Sequence, residues 1–372
     1  MLYKTPLTMY YYACMFNIQY SHKAVNCKRS TMDDILQENG SFTTDKDING
    51  PLVATIVSLE VLAALVTNLF VLIFTLCHPK ILKQSSILFL TNFVLANLLM
   101  AIVYMPTIIV TAAAGEWVFG RNINEKVASC GFIGFIFNHD LFVATLTLTA
   151  ISVDRFLFIV KPFIHKQYMK TWVVVVINVL TWILPCFLTI PPFFGFGRYN
   201  FSTYIASCIP VWDSDKIYTA LNLLVVIVCM MVIIVTSIWT FCFTQNFIKR
   251  TESFSSSNEE NKHVYNRRVV KIMGIFGTML LVTAVTYAPG AIACLIGFII
   301  SFENLPSKLF PAIMLLFFTL TVSNPIIQSY FRRELKDFIV TYTKRFFSCH
   351  QTHPSSIQPM VSKTSSEVTG PV

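Results

Sequence analysis

The stretch ISVDRFLFIVKPF, residues 151–163, decides the fold of this chain. It closes a long apolar segment, 127–157, and sets an aspartate and an arginine, Asp154 and Arg155, side by side at the end of that segment. In a soluble protein, charged side chains are spread over the surface and rarely end so apolar a run. Where a helix leaves a membrane, the same pair lies between hydrocarbon and water. The stretch therefore indicates a helix that crosses a membrane.

The composition of the whole chain agrees with a membrane protein. Of its 372 residues, 55% are hydrophobic and 13% are charged, with a mean hydropathy of +0.63. Soluble domains carry about 25% charged residues. A membrane-spanning helix needs roughly 20 mostly apolar residues. The sequence predicts an all-α membrane protein, a seven-transmembrane helix bundle, with spans at 52–77, 85–112, 127–157, 171–195, 215–244, 268–300 and 308–330.

The basic residues predict the orientation of the bundle. Lys and Arg are absent from the span interiors, as expected from the cost of a cation in hydrocarbon. The positive-inside rule places the odd-numbered loops in the cytoplasm and the N-terminus outside a plasma membrane, with anionic lipids near the basic face. The basic residues are dispersed over several loops, which does not favour nucleic acid as a binding partner. Loops one, three and five hold Lys80, Lys83, Arg155, Lys161, Lys166, Lys170, Lys249, Arg250, Lys262, Arg267, Arg268 and Lys271, whereas loops two, four and six hold Arg121, Lys126, Arg198, Lys216 and Lys308.

Four segments are expected along the chain. Residues 1–50 form an extracellular N-terminal segment, 51–330 the bundle, 331–347 a short amphipathic eighth helix, and 348–372 a disordered cytoplasmic tail. The fifth loop, which contains RTESFSSSNEENKH at 250–263, and the tail are too short and polar to hold a catalytic domain, so we expect no enzyme activity.

Three modification sites fit this topology. Asn39 and Asn200 begin N-x-S patterns outside the cell, where glycosylation occurs. Cys349 follows the amphipathic helix on the inner face and is a candidate for palmitoylation.

Landmarks in the spans resemble the rhodopsin-like (class A) G-protein-coupled receptors. The resemblance covers roughly residues 52–347, and the order and spacing of the landmarks are more specific than any one of them. They are Asn68 in TNLFV, LANLL at 95–99, Cys130, DRF at 154–156, Trp182, Pro289 in TYAPG, and NPIIQ at 324–328. The stretch FFGFGRYNF, 193–201, also resembles the second exterior loops of opsins and melatonin receptors.

The resemblance implies a disulfide between Cys130 and Cys208. Cys130 stands 25 residues before Arg155, about 37 Å along an α-helix, so the two lie at opposite ends of the third span. Cys208 falls in the second exterior loop, where conditions are oxidising. Two unrelated thiols are the alternative.

The resemblance also assigns a role to Asp154, Arg155 and Phe156, which stand where the family has Asp-Arg-Tyr. Asp154 would hold Arg155 at rest, and a released Arg155 would engage a heterotrimeric G protein. A charge pair that only marks the helix end is the alternative.

The sixth and seventh spans carry the family's proline landmarks with altered neighbours. Pro289 and Pro325 each remove a backbone hydrogen bond and allow a bend. Tyr287 replaces the tryptophan usual before the sixth-span proline, and Gln328 replaces the tyrosine that usually closes the motif begun by Asn324. With these residues changed, the receptor could have either high basal activity or weak coupling to its G protein, and the sequence does not decide between the two.

A polar centre is expected where the first, second, third and seventh spans meet. Asn68, Asn97 and Asn324 would supply polar contacts between spans one, two and seven. In the family the second span carries an aspartate that holds sodium. Here that position is Asn97, and the third span carries Asp140 instead. The resemblance suggests a sodium or proton site at Asp140 and Asn97, whereas the alternative is a neutral Asp140 bonded to His139 or backbone.

The ligand class follows mainly by exclusion. Phe137 stands 18 residues before Arg155, where amine receptors have an aspartate, and Phe318 stands seven residues before Pro325, where visual pigments attach retinal to lysine. We therefore expect no retinal cofactor and a small, largely apolar or uncharged extracellular ligand. The expected cavity walls are aromatic, namely Tyr104, Phe137, Phe193, Tyr287 and Phe318, although the same residues could simply pack the bundle.

The leading hypothesis is a receptor that activates a heterotrimeric G protein, with arrestin and receptor kinases as further candidate partners. A seven-span transporter or channel is the main alternative, but the sequence shows no repeated halves. A receptor that does not couple is also possible from the altered motifs.

Overall fold

The computed structural model describes six of the seven spans. The described residues are 42–46, 48–78, 84–211, 215–254 and 309–330, with positions 289, 290, 292, 293, 295, 296 and 306; at 248, 251–254 and 328–330 the backbone alone is described. Six helices among them are long and apolar enough to cross a membrane. The predicted sixth span, 268–300, lies mainly outside the described residues, and Pro289 and Gly290 within it are helical.

The first span is α1, Gly50–Cys77. It begins two residues before the apolar run because Asn49 caps it: the side-chain oxygen of Asn49 accepts a hydrogen bond from the Leu52 amide at 3.1 Å. On its outer surface Leu59, Leu62 and Val66 are each more than 60% exposed. Apolar side chains at this helical spacing form the stripe that faces lipid.

The second span consists of α2, Ser85–Leu99, a π-helical turn at Met100–Tyr104, and α3, Met105–Ala114. Gly115 ends it with φ of +75°, a conformation in which glycine has no Cβ clash. The turn precedes Pro106, whose missing N–H interrupts regular α-helical bonding.

The third span is α4, Ile123–Val160, which is longer at both ends than the predicted 127–157. Asn122 caps it by accepting from the Glu125 amide at 3.0 Å, so a polar first turn that hydropathy cannot detect is helical. A short helix, α5, Pro162–Tyr168, follows directly.

The fourth span, Thr171–Phe194, comprises α6, Thr171–Ile183, α7, Cys186–Thr189, and a 3₁₀ turn at Pro191–Phe194. Beyond it, β1, Tyr199–Ser202, pairs antiparallel with β2, Ser207–Pro210, so that Phe201 is opposite Cys208. We call this β1–β2 pair the exterior hairpin.

The fifth span lies in α8, Lys216–Phe254, and the seventh is α9, Leu309–Tyr330. The helix α8 continues ten residues beyond the predicted end at 244, because charged residues can extend a helix into water after it has left the hydrocarbon. Polar pairs tie the spans together: Trp182 Nε1 donates to Asn92 Oδ1 at 2.8 Å, and Asn92 Nδ2 donates to Thr147 Oγ1 at 2.8 Å. Such bonds join the second, third and fourth spans.

Candidate functional site

The C-terminal end of the third span holds Asp154, whose side chain is 2% exposed. Its Oδ1 accepts from Ser85 Oγ at 2.7 Å and lies 2.9 Å from His165 Nε2. Its Oδ2 is 3.9 Å from Arg155 Nε. The expected Asp154–Arg155 pair is thus present but loose, and the short contacts come from α2 and α5. Sequence reasoning missed His165 and Ser85.

The surface beside this carboxylate is partly aromatic. Phe156, the residue that replaces the family's tyrosine, packs edge-on against Trp239 of α8 at 5.5 Å between ring centroids. Phe163 of α5 is 89% exposed. At this end of the bundle, one aromatic ring is therefore packed against a neighbouring span and another is exposed.

The contacts expected of Asn68 and Asn97 between the first, second and seventh spans are present, whereas none is seen for Asn324 among the described residues. Asn97 Nδ2 donates to Asn68 Oδ1 at 3.2 Å, and Asn68 Nδ2 donates to the Thr321 backbone oxygen at 2.8 Å. Asn68 and Asn97 are buried. The two asparagines therefore join three spans through side-chain amides.

Two further buried groups near mid-span have unmet hydrogen-bonding capacity. Among the described residues, the buried Asp140 has no partner for its Oδ1, and the buried Asn324 has none for either amide atom. His139 Nδ1 contacts Thr189 Oγ1 at 3.3 Å. Buried polar atoms normally bind protein, water or an ion. An unpartnered carboxylate oxygen is a chemically suitable ligand for sodium, whereas Asn97 bonds to Asn68.

At the outer end, Cys130 and Cys208 form the expected disulfide, with Cα atoms 5.3 Å apart. Both sulfur-bearing residues belong to a buried cluster with Phe42, Trp117 and Phe201. The bond fixes β2 of the exterior hairpin to the first turns of α4.

Three of the expected cavity residues lie together. The rings of Tyr104 and Phe137 stack at 4.6 Å between centroids, and Tyr104 lies 6.2 Å from Phe318. They belong to one buried cluster, which is the packing alternative raised by the sequence. Phe193 lies elsewhere, against Phe135 and Tyr199, each at 5.6 Å.

A buried polar network that sequence reasoning missed lies beneath the exterior hairpin. Asn138 Nδ2 lies 3.4 Å from Tyr199 Oη and 3.3 Å from Tyr218 Oη, and Asn138 Oδ1 has no partner. The two tyrosines donate to the backbone oxygens of Thr189 and Leu188, at 2.7 and 2.8 Å. Burial raises the pKa of Tyr199, so its hydroxyl stays protonated and donates. An asparagine within an apolar span was the available signal.

The remaining expected residues divide between described and undescribed parts of the chain. Pro289 is helical, Pro325 lies inside α9, and Asn200 lies on β1 with its Oδ1 accepting from the Phe201 amide. Gln328 is described by its backbone only, within α9. Tyr287, Asn39 and Cys349 lie outside the described residues, as do the helix expected at 331–347 and the tail at 348–372.

These features define a bundle of membrane helices with a disulfide at one end and, at the other, a buried Asp154 loosely paired with a partly exposed Arg155. The profile of the "7 transmembrane receptor (rhodopsin family)" matches residues 67–328, most of the chain. The chain belongs to this family and is a rhodopsin-like G-protein-coupled receptor by descent, with seven transmembrane helices.

Several curated relatives are opsins. The Gq-coupled rhodopsin of Mizuhopecten yessoensis is 33% identical over 137 residues, 37% of this chain and 26% of that protein. Human melanopsin is 24% identical over 255 residues, 66% of this chain and 52% of that protein. G-protein coupled receptor 161 of Danio rerio is 26% identical over 180 residues, 48% and 33% of the two chains. The chain therefore spans about half the length of these relatives or less.

Proposed function

We propose that this protein is a plasma-membrane receptor, with its N-terminus outside the cell, that transmits the binding of an extracellular ligand to a heterotrimeric G protein. The observation that carries the proposal is the state of Asp154. Its carboxylate is buried and held at 2.7 and 2.9 Å by Ser85 and His165, while Arg155 is 3.9 Å away and its side chain is 25% exposed. An arginine so weakly paired is available to a cytosolic partner.

Coupling to a G protein is also supported by the adjoining surface and by the relatives. Phe163 lies in α5, the helix that follows Arg155 in the chain, and its ring is exposed. A relative that is 33% identical over 137 residues is named a Gq-coupled rhodopsin. A cation beside an aromatic ring is a common centre of a protein–protein interface. The class of G protein, arrestin and the receptor kinases stay predictions.

The ligand is proposed to be small and uncharged, with at least one hydrogen-bond donor. Phe137 stands where an acid would pair with an amine ligand, and Phe318 stands where a lysine would form an imine with retinal. Neither kind of ligand is therefore favoured. The unpartnered Oδ1 of Asn138 is a buried acceptor beneath the exterior hairpin. A buried acceptor binds a ligand that can donate to it better than one that cannot.

The first prediction concerns Arg155. Purified receptor in lipid nanodiscs would be mixed with several G-protein families, and guanine-nucleotide exchange measured. Arg155→Ala should lower exchange about thirtyfold or more, since truncating one partner of a charge pair buried in an interface costs roughly 2–5 kcal/mol. Arg121→Ala is the matched control, because Arg121 is exposed on an exterior loop.

Three outcomes separate the functional hypotheses. Equal exchange by wild type and Arg155→Ala, at equal surface level, would contradict the proposed role of Arg155. If the wild-type receptor stimulated nucleotide exchange in none of the G-protein families, the result would favour a receptor that does not couple. Solute flux through the same receptor reconstituted into liposomes, with no stimulation of guanine-nucleotide exchange, would favour the transporter or channel hypothesis.

A further inference from the structure

The inward face of α5 is formed by one histidine. In this helix, which the structure describes in full, His165 is the least exposed residue, and its side chain is 16% exposed. Its neighbours Phe163 and Tyr168 are 89% and 59% exposed. His165 therefore fixes how α5 packs against the bundle.

The imidazole meets a carboxylate and a hydroxyl at the same point. His165 Nε2 lies 2.9 Å from Asp154 Oδ1 and 3.4 Å from Ser85 Oγ, and Ser85 donates to that Oδ1 at 2.7 Å. Phe158 covers the ring edge-on at 5.3 Å between centroids. Three elements, α2, α4 and α5, thus converge on one oxygen atom.

Two basic side chains face this single carboxylate, at different distances. Arg155 Nε lies 3.9 Å from Oδ2, one ångström farther than His165 Nε2 is from Oδ1. Arg155 is always charged, whereas histidine is the side chain that ordinarily changes charge between pH 5 and 8. A charged imidazole satisfies the carboxylate more strongly than a neutral one. The balance between the two partners is therefore sensitive to protonation.

Few other ionisable groups in the described part of the chain act at this point. Neither α2, Ser85–Leu99, nor α6, Thr171–Ile183, contains an ionisable side chain. Asp154 and Arg155 are the charged residues that α4 brings to the imidazole. The basic residues of the surrounding loops are Lys161, Lys166 and Lys170, which are exposed, and Lys80 and Lys83, which lie outside the described residues.

We propose that His165 is a positioning residue that competes with Arg155 for Asp154, so that its protonation releases Arg155 and couples receptor output to cytosolic pH. The inference rests on the proposed G-protein coupling. In the released state Asp154 is paired with His165 alone, so that state binds the proton more tightly than the resting state does. Acidification therefore favours release, and the effect is lost as pH rises.

The test measures nucleotide exchange by the full-length receptor in nanodiscs between pH 6 and 8. Wild-type basal exchange should rise about fivefold as pH falls, in the range of ordinary couplings between sites. His165→Gln should give a low, flat profile, and His165→Arg a high, flat profile, because neither side chain titrates in this range. The matched control is His78→Gln, since His78 follows α1 and stacks on Phe74 at 4.6 Å. That variant should keep the wild-type slope.

A second readout needs no G protein. In receptor labelled with ¹³C-histidine, the His165 resonance would be identified by its loss in His165→Gln and compared between wild type and Asp154→Asn. Its chemical shift should change in Asp154→Asn, because Asp154 Oδ1 lies 2.9 Å from His165 Nε2. Equal chemical shifts, or a His165→Gln exchange profile as steep as wild type, would overturn the proposal. If every variant lacked exchange while the chemical shifts still differed, the proposed coupling would fail, and with it the link to pH, although the His165–Asp154 pair would stand.

Discussion

At the scale of single residues, polar side chains in the bundle divide into those with partners and those without. Asn68 and Asn97 bond to each other and to the seventh span. Asp140, equally buried, has an oxygen atom that nothing in the described part of the chain satisfies. The sequence predicted Asp140 to be a functional group because an acid in a span is costly. It could not show that Asn97 turns its amide to Asn68, since that depends on helix rotation.

We predict that Asp140 confers a response to sodium. Basal exchange should rise when sodium is replaced by a bulky organic cation, because the ion would stabilise the resting bundle by mass action. Asp140→Asn should abolish the difference, and Asn97→Asp on that background should restore it. Glu60→Gln is the matched control, since Glu60 also has a buried unpartnered oxygen and lies in another span. A wild-type receptor that ignores sodium would exclude the ion site and favour a neutral Asp140.

At the scale of elements, the exterior hairpin is held to α4 by more than its disulfide. Gly134 of α4 lies directly under Tyr199 of β1: a Cβ at residue 134 would be 2.9 Å from Tyr199 Cδ1. The absence of a side chain there lets the hairpin settle on the third span, where Tyr199 reaches the Thr189 backbone oxygen. The apolar run predicted the span in α4, and the family resemblance implied the disulfide. They could not distinguish Gly134 from Gly131, because the difference is made by a residue distant in sequence.

We predict that Gly134→Ala destabilises the outer end and Gly131→Ala does not. At Gly131 an added Cβ would meet Phe193 at 3.6 Å, an ordinary contact. At Gly134 the clash would displace Tyr199, with an overpacking cost of about 1–3 kcal/mol. Thermal unfolding of purified receptor should show a lower midpoint for Gly134→Ala only. Equal midpoints for the two variants would mean that the hairpin does not rest on Gly134.

At the scale of the whole molecule, hydropathy located the spans well, because their ends coincide with changes from apolar to polar sequence. The first span was predicted at 52–77 and is Gly50–Cys77, and the seventh was predicted at 308–330 and is Leu309–Tyr330. The site was predicted less completely. Asp154 and Arg155 stood out as charges at a span's end, but the contact of His165 depends on α5 turning back against α2 and α4. No local pattern encodes that approach.

The final prediction concerns the direction in which the bundle crosses the membrane. The basic residues favour the odd-numbered loops, which places α5 in the cytoplasm and the loop before α4 outside. Glu116 and Lys166 are both exposed and lie on those two sides. In intact cells, a membrane-impermeant maleimide should label Glu116→Cys and leave Lys166→Cys at the level of receptor with no added cysteine. Permeabilisation should then make Lys166→Cys reactive. The reverse labelling pattern would show that the bundle has the opposite orientation and that Arg155 lies outside the cell. Coupling to a cytosolic G protein would then have no basis.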